Sequence, residues 1–306
     1  MSDLKLFQTN NGTLGELTSA SAPLERGLQT LFENNLGALL GVSFLASEYS
    51  TTHGGRMDTL GIDENGYPVI IEYKRDRSEN VINQGLFYLD WLMDHRGDFE
   101  ILVRDRYRTG AAPQIEWSAP RLICIAADFT KYDTHAVKQI SRNIELVRYR
   151  KFGEDLLLLE LLTAVSTTPQ PAPVLDNAAG VAVPKGGQYK TNSESLAAAS
   201  ESLAGLYSDV EAFMLGMGDD VTQKTLKNYF AFRRFKNFAC VEVKPTIPAL
   251  RLYLKINPDT ISPENGFTRD VRTIGHFGTG DLEVTLKSHE DFERAKPLIV
   301  QSYESS

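Results

Sequence analysis

"GRMDTLGIDENGYPVIIEYKRD", Gly55–Asp76, sets apolar runs on either side of a Glu-Asn-Gly turn and places Asp58, Glu72 and Lys74 within them. Asn65-Gly66 suits the positive φ of a tight reversal, so the stretch reads as a β-hairpin. Charged side chains seldom sit in such runs without a partner or a task. A reversal symmetric about Asn65 brings Asp58 opposite Glu72. Strand alternation then puts Lys74 on the face of Glu72 and turns Ile71 and Tyr73 away. A slip of one residue would flip this pairing. Facing carboxylates repel and call for a cation between them. Lys74 supplies one charge; Mg²⁺ supplies two and prefers carboxylate oxygens. An Asp/Glu/Lys ion cluster on a half-exposed sheet satisfies the same spacing.

The flanking segments add to the pattern. Upstream, "SAPLERGLQTLFENNLGALLG" reads as one helix entered through Ser21 and Pro23, with Leu24, Leu28, Leu31 and Phe32 at helical spacing. Glu25 falls in its first turns, either as a third carboxylate for the hairpin or as an acid favoured by the helix dipole. Downstream, "SENVINQGLFYLDWLMDHRG" reads as a helix with Ile82, Leu86, Leu89 and Met93 as its stripe and Gly97 as C-cap. Gln84 and Tyr88 share another face, directed to the end of the sheet or to solvent. "FEILVRD" and "RLICIAAD" read as strands, "THAVKQISRN" as a helix, and "IELVRYRKF" and "DLLLLELL" as closing strands.

The order Glu (helix), Asp (strand), Glu-x-Lys (strand), Gln-x-x-x-Tyr (helix) resembles the PD-(D/E)xK nuclease superfamily. The likeness runs from about Glu25 to Trp91. Gly55–Asp76 is especially similar to the nuclease domain of NucS-type endonucleases and to RecB-like nucleases. The family's acid maps to Asp58, its Glu-x-Lys to Glu72-Tyr73-Lys74, its helix residues to Gln84 and Tyr88, and its helix Glu to Glu25, with Glu33 a second choice. The usual Pro-Asp is Met57-Asp58 here. The resemblance implies a restriction-endonuclease-like α/β domain with a mixed sheet flanked by helices. It implies Mg²⁺, with Mn²⁺ as substitute, held by Asp58, Glu72, the Tyr73 carbonyl and, through water, Glu25. Asp58, Glu72, Lys74, Glu25, Gln84 and Tyr88 are then the candidate catalytic set, and Arg56, Arg75 and Arg77 candidate phosphate contacts or solvated strand-end cations. DNA is the implied substrate, cut by an endonuclease, and a homodimer the implied assembly. A nuclease-like fold that only binds nucleic acid or protein is the alternative.

Composition sets outer limits. The 306 residues are 42% hydrophobic and 24% charged, in the globular range and long enough for more than one domain. A net charge of −8 argues against a molecule that is basic overall and grips nucleic acid non-specifically. Cys124 and Cys240 are far apart in apolar runs, which predicts buried free thiols in a reducing compartment. The N-terminal residues carry no signal-peptide pattern and no run reaches the ~20 apolar residues of a membrane span, so a cytoplasmic location is expected. Residues 164–192, rich in Pro, Ala, Gly, Ser and Thr, read as a flexible linker between a nuclease-like domain, 1–163, and a smaller α+β domain, 193–306. The latter is expected to have helices around 193–216 and 221–237, strands at "FACVEVKP", "LRLYLKI" and "DLEVTL", and a last helix at "HEDFERAKPLIVQSY". "RTIGHFGTGDLEV" reads as a tight loop between strands. The basic and aromatic residues of 224–238 suit either single-strand binding or a small core with solvated cations. As a whole this unit resembles an uncharacterised domain often found behind predicted nucleases, suited to substrate or partner recognition.

Overall fold

A computed structural model describes residues 4–20, 24–76, 80–108, 112–153, 155–165 and 190–306. The chain divides into two compact units, Met1–Gln170 and Pro171–Ser306. Most of the segment expected as linker lies outside the described residues, as do Ser21, Pro23 and Arg77. The ends of that segment are not linker: Ala164–Val165 close a strand and Asn192 opens a helix.

The first unit runs β1 (Leu6–Asn10), β2 (Thr13–Leu17), β3 (Ser19–Ala20), α1 (Glu25–Glu33), α2 (Leu36–Leu40), β4 (Val42–Ser50), β5 (Arg56–Asp63), β6 (Pro68–Lys74), α3 (Val81–Asp94), α4 (Arg96–Tyr107), β7 (Arg121–Ala126), α5 (Lys131–Val137), β8 (Asn143–Phe152) and β9 (Leu156–Val165). A mixed seven-stranded sheet has the order β3-β8-β7-β6-β5-β4, with β9 on β8. The β6–β7 and β7–β8 pairs are parallel. These central strands are buried on both faces, which is why they read as near-continuous apolar runs. Ile70, Leu122, Cys124, Ile144 and Leu146 pack with Val81, Leu89 and Leu92 of α3. The other face of β6 meets α1, where Phe32 and Tyr73 stand edge to face at 5.6 Å.

Several expectations are corrected. The upstream helix is two, α1 and α2, interrupted at Asn34–Asn35; Leu24 and Leu31 are exposed, while Leu28 and Phe32 are buried. β1, β2 and β4 were not anticipated, because their alternation is polar or only half-buried. The helix carrying Gln84 and Tyr88 is capped at His95, and Gly97 lies inside α4. "FEILVRD" is part of α4: Phe99 and Val103, four apart, are buried while Ile101 is exposed, a helical face that also mimics period two. "THAVKQISRN" is helical only to Val137, from a capping box of Thr130 and Asp133.

The second unit comprises α6 (Asn192–Ala197), α7 (Glu201–Leu215), β10 (Thr222–Thr225), β11 (Phe230–Arg233), β12 (Asn237–Lys244), β13 (Ala249–Leu254), β14 (Thr268–Asp270), β15 (Leu282–Leu286) and α8 (His289–Glu304). Its six strands are antiparallel in the order β10-β11-β12-β13-β15-β14. Leu206, Val210, Phe292 and Ile299 of α7 and α8 share a core with Phe232, Val241, Leu252 and Val284 of the sheet. The helix expected over 221–237 is the β10–β11 hairpin. Phe230 and Phe232 face the helices and Ala231 the other side, so the period is two. Tyr229, Phe230, Phe232 and Phe238 are core, and Lys224 and Arg233 are buried rather than solvated.

Candidate active site

The hairpin reverses through Asp63–Tyr67. Asp63 Oδ1 accepts from the Asn65 and Tyr67 amides at 2.9 Å, and Gly66 has φ +84°. A Cβ at Gly66 would lie 2.1 Å from the Gln114 carbonyl oxygen, so the turn requires glycine on both counts. From there the strands pair Ile62↔Pro68 through Thr59↔Ile71, and then pairing stops. The register points Asp58 at Glu72, but the carboxylates do not simply face each other. Instead each reaches a backbone amide of the other strand: Asp58 N–H donates to Glu72 Oε1 at 3.2 Å, and Tyr73 N–H to Asp58 Oδ2 at 2.9 Å.

Glu72 is 0% exposed, and its Oε2 has no hydrogen-bond partner. Burial, and next the Asp58 charge, push its carboxyl up to about 9. Burial raises Asp58 as well, opposed by its Tyr73 amide bond and by Lys74. Two adjacent acids in low dielectric thus retain a proton or require a cation. A hard divalent ion fits this donor set, since Mg²⁺ takes one or two carboxylates and keeps its own waters. Among the described residues no group of three or more His, Cys, Asp or Glu side chains forms a cage of its own.

The remaining predicted residues fall in two places. Glu25, the first residue of α1, accepts from Lys74 Nζ at 3.2 Å and from the Arg75 amide at 3.3 Å. Glu25 and Lys74 therefore join the end of β6. Glu33 sits further along α1 and accepts from Thr59 Oγ1 at 2.7 Å. Gln84 and Tyr88 meet each other at 3.3 Å, and the Tyr88 hydroxyl accepts from the Arg56 amide at 3.0 Å. They brace the start of β5 and make no hydrogen bond to Asp58 or Glu72. Arg56 is exposed and ion-paired with Glu48; Arg75 is exposed beside Asp76. His53 and His95 stand edge to face at 5.6 Å, with His95 stacked on Trp91.

Two residues escaped the sequence reading. Gln29 of α1 donates to the Asp58 carbonyl at 2.7 Å. Glu48 of β4 has φ +54°, unusual for a residue with a side chain, and the pairs Ser47↔Thr59 and Tyr49↔Met57 bring it opposite Asp58. Gln29 is one helical turn from both Glu25 and Glu33, and that i, i+4, i+8 polar stripe was a readable signal. The left-handed conformation at Glu48 left none.

The Glu72 environment predicts a pH dependence of stability. Its folded value lies above the ordinary carboxylate value of 4.5, so the folded state holds the extra proton. Stability is therefore expected to fall as pH rises from about 4.5 to about 9, by at most ~1.4 kcal/mol per pH unit. Glu72→Gln, measured by thermal melts in chelator, should flatten this slope and raise the melting temperature at pH 8. An unchanged slope would place the proton elsewhere.

Residues 193–306 match a family described as a domain of unknown function, DUF5655, in line with an uncharacterised C-terminal domain. The whole chain is similar to an uncharacterised protein of Haemophilus influenzae, 27% identical over 302 residues, covering 98% of this chain and 99% of that one. Among solved structures it is similar to a repair endonuclease from Pyrococcus abyssi, at 17% identity and TM-score 0.29 over 43% of this chain and 50% of that one. It is also similar to EndoMS in complex with double-stranded DNA, at 20% identity and TM-score 0.28 over 44% and 47%. The chain spans about half the length of each of these two structures. No helix among the described residues is long and apolar enough to cross a membrane.

Proposed function

We propose that the first unit hydrolyses phosphodiester bonds in DNA with Mg²⁺ bound at Asp58 and Glu72. The observation that carries this reading is the buried Oε2 of Glu72, which meets no hydrogen-bond donor, beside a second, half-buried acid, with Lys74 at the end of the strand that carries Glu72. A merely structural ion pair would leave no buried carboxylate oxygen without a donor. DNA as substrate, and a homodimer to cut both strands, follow from the PD-(D/E)xK resemblance of Glu25–Trp91.

Asp58 and Glu72 would hold the ion, with the Tyr73 carbonyl as a candidate further oxygen and Glu25 as a candidate ligand through water. When bound, Mg²⁺ lowers the pKa of a coordinated water and offsets charge on the scissile phosphate. Lys74, steadied by Glu25, orients the attacking water or meets the negative charge that develops on the phosphate oxygens. Gln84 and Tyr88 set the start of β5 through the Arg56 amide, and the exposed Arg56 and Arg75 side chains are the candidate contacts for a backbone phosphate.

The test is cleavage of plasmid, single-stranded and branched DNA with Mg²⁺ or Mn²⁺ by the wild type and Asp58→Ala. Metal-dependent cutting lost in the variant is expected. Binding without cutting by both proteins would replace the nuclease with a nucleic-acid-binding module on the same fold.

A further inference from the structure

We propose that Gln29 is a positioning residue that holds Asp58 out of both neighbouring strand ladders, and so shapes the carboxylate pair. This rests on Asp58 and Glu72 being the cation-binding pair of the reading above. The β4–β5 ladder passes from Ser47↔Thr59 to Tyr49↔Met57, and the β5–β6 ladder ends at Thr59↔Ile71, so Asp58 is paired in neither. Met57, Leu60 and Ile62 nevertheless pack in one apolar cluster. Strict alternation would send Met57 to the face opposite Leu60, so the strand changes parity across Asp58. Glu48, opposite, is in the left-handed region. The pairing of β4 with β5 is thus interrupted at one level, and an interruption inside a sheet leaves backbone groups that must find partners.

Side chains provide them. Glu72 Oε1 takes the Asp58 N–H, and Gln29 Nε2 takes the Asp58 carbonyl. Gln29 is 6% exposed, and the same nitrogen lies 3.1 Å from Ser47 Oγ and 3.0 Å from Glu33 Oε1. A primary amide has two hydrogens, so the shortest contact, to Asp58, takes one and the others share the second. One nitrogen thereby fastens α1 to β4 and β5 at the break. Without it the Asp58 carbonyl is left without its donor, and closing the ladder is the simplest way to satisfy it. That closure would draw Asp58 Oδ2 off the Tyr73 amide and change the spacing of the two acids.

Full-length wild type, Gln29→Met and Thr30→Ala would be compared in three ways. These are Mn²⁺ binding by calorimetry, the Tyr73 amide by NMR, and thermal melting. Met keeps the volume without the donor; Thr30 is exposed on the same helix and its hydroxyl donates to the Arg26 carbonyl. Gln29→Met is expected to weaken Mn²⁺ at least about tenfold and to shift the Tyr73 amide, as loss of a group supporting a ligand does. Thr30→Ala should leave both unchanged. Wild-type Mn²⁺ affinity and an unmoved Tyr73 amide in Gln29→Met would overturn the proposal, whatever the melting temperature. If Gln29→Met does not fold, Gln29→Asn withdraws the donor by one methylene and is read the same way. Loss of Mn²⁺ binding in the variant of a wild type that cuts no DNA would sustain the role of Gln29 and defeat only the nuclease reading. A wild type that binds no Mn²⁺ defeats both.

Discussion

Lys74→Ala is expected to lower the rate of the proposed metal-dependent DNA cleavage by about 10²–10³-fold, the usual loss when one preorganised stabiliser of transition-state charge is removed. Lys74 follows Glu72 by two positions and ends β6, where Glu25 Oε1 holds its ammonium at 3.2 Å. The side chain is neither deeply buried nor free to wander, which suits a cation that meets charge only as it develops. The loss should fall on kcat more than on KM, because the substrate's ground state gains little from a charge aimed at the reacting phosphate. Glu25→Gln keeps an acceptor oxygen for Lys74 and loses the charge, so a smaller loss is expected. Single-turnover kinetics at saturating Mg²⁺ would separate these variants. Equal rates for wild type and Lys74→Ala would remove Lys74 from the chemistry.

Arg121→Met is expected to destabilise the fold by about 3–5 kcal/mol, the cost of leaving buried acids without their cation. Arg121 is 2% exposed. Its Nη1 donates to Asp63 Oδ2 at 2.8 Å, and Nε and Nη2 donate to the two oxygens of Glu145 at 2.9 Å. The guanidinium therefore joins the hairpin turn, β7 and β8 at the end of the sheet remote from Asp58. Asp63 also organises the turn that sets the hairpin register. Against a total stability of ~5–15 kcal/mol this is a large fraction. Urea unfolding at pH 7 measures it. Asp63→Asn, which keeps the Oδ1 acceptor of the turn, combined with apolar residues of similar volume at Arg121 and Glu145 should restore part of the loss. A single-variant loss under ~1 kcal/mol would mean the two acids find other partners.

How far the sequence could be read depended on whether its signals were local. The Asn65-Gly66 reversal and the alternation of "YPVIIEYK" are local, and they placed Asp58, Glu72 and Lys74 on one hairpin. The long apolar period of Val81–Asp94 and the runs of β7, β8 and β12 were legible for the same reason. Phe99, Ile101 and Val103 satisfy a strand and a helix equally, and burial on α4 chose between them. Phe230 and Phe232 were read as a helix because their alternation is short, and the helices packed on one face of that sheet decided otherwise.

The amino-acid sequence by itself determined which acids and which lysine share a hairpin, because turn chemistry and strand parity act over a few residues. The tertiary structure alone decided how they meet. The ladder stops one pair short of Asp58 and Glu72, and each carboxylate then reaches an amide of the opposite strand. Gln29 arrives from a helix twenty-nine residues away to hold the break. Burial of Glu72 Oε2 without a donor arises only when the sheet and its helices close over it. Desolvation belongs to the assembled core and to no single segment, so the property on which the proposed cation site rests could not be read from its residues alone.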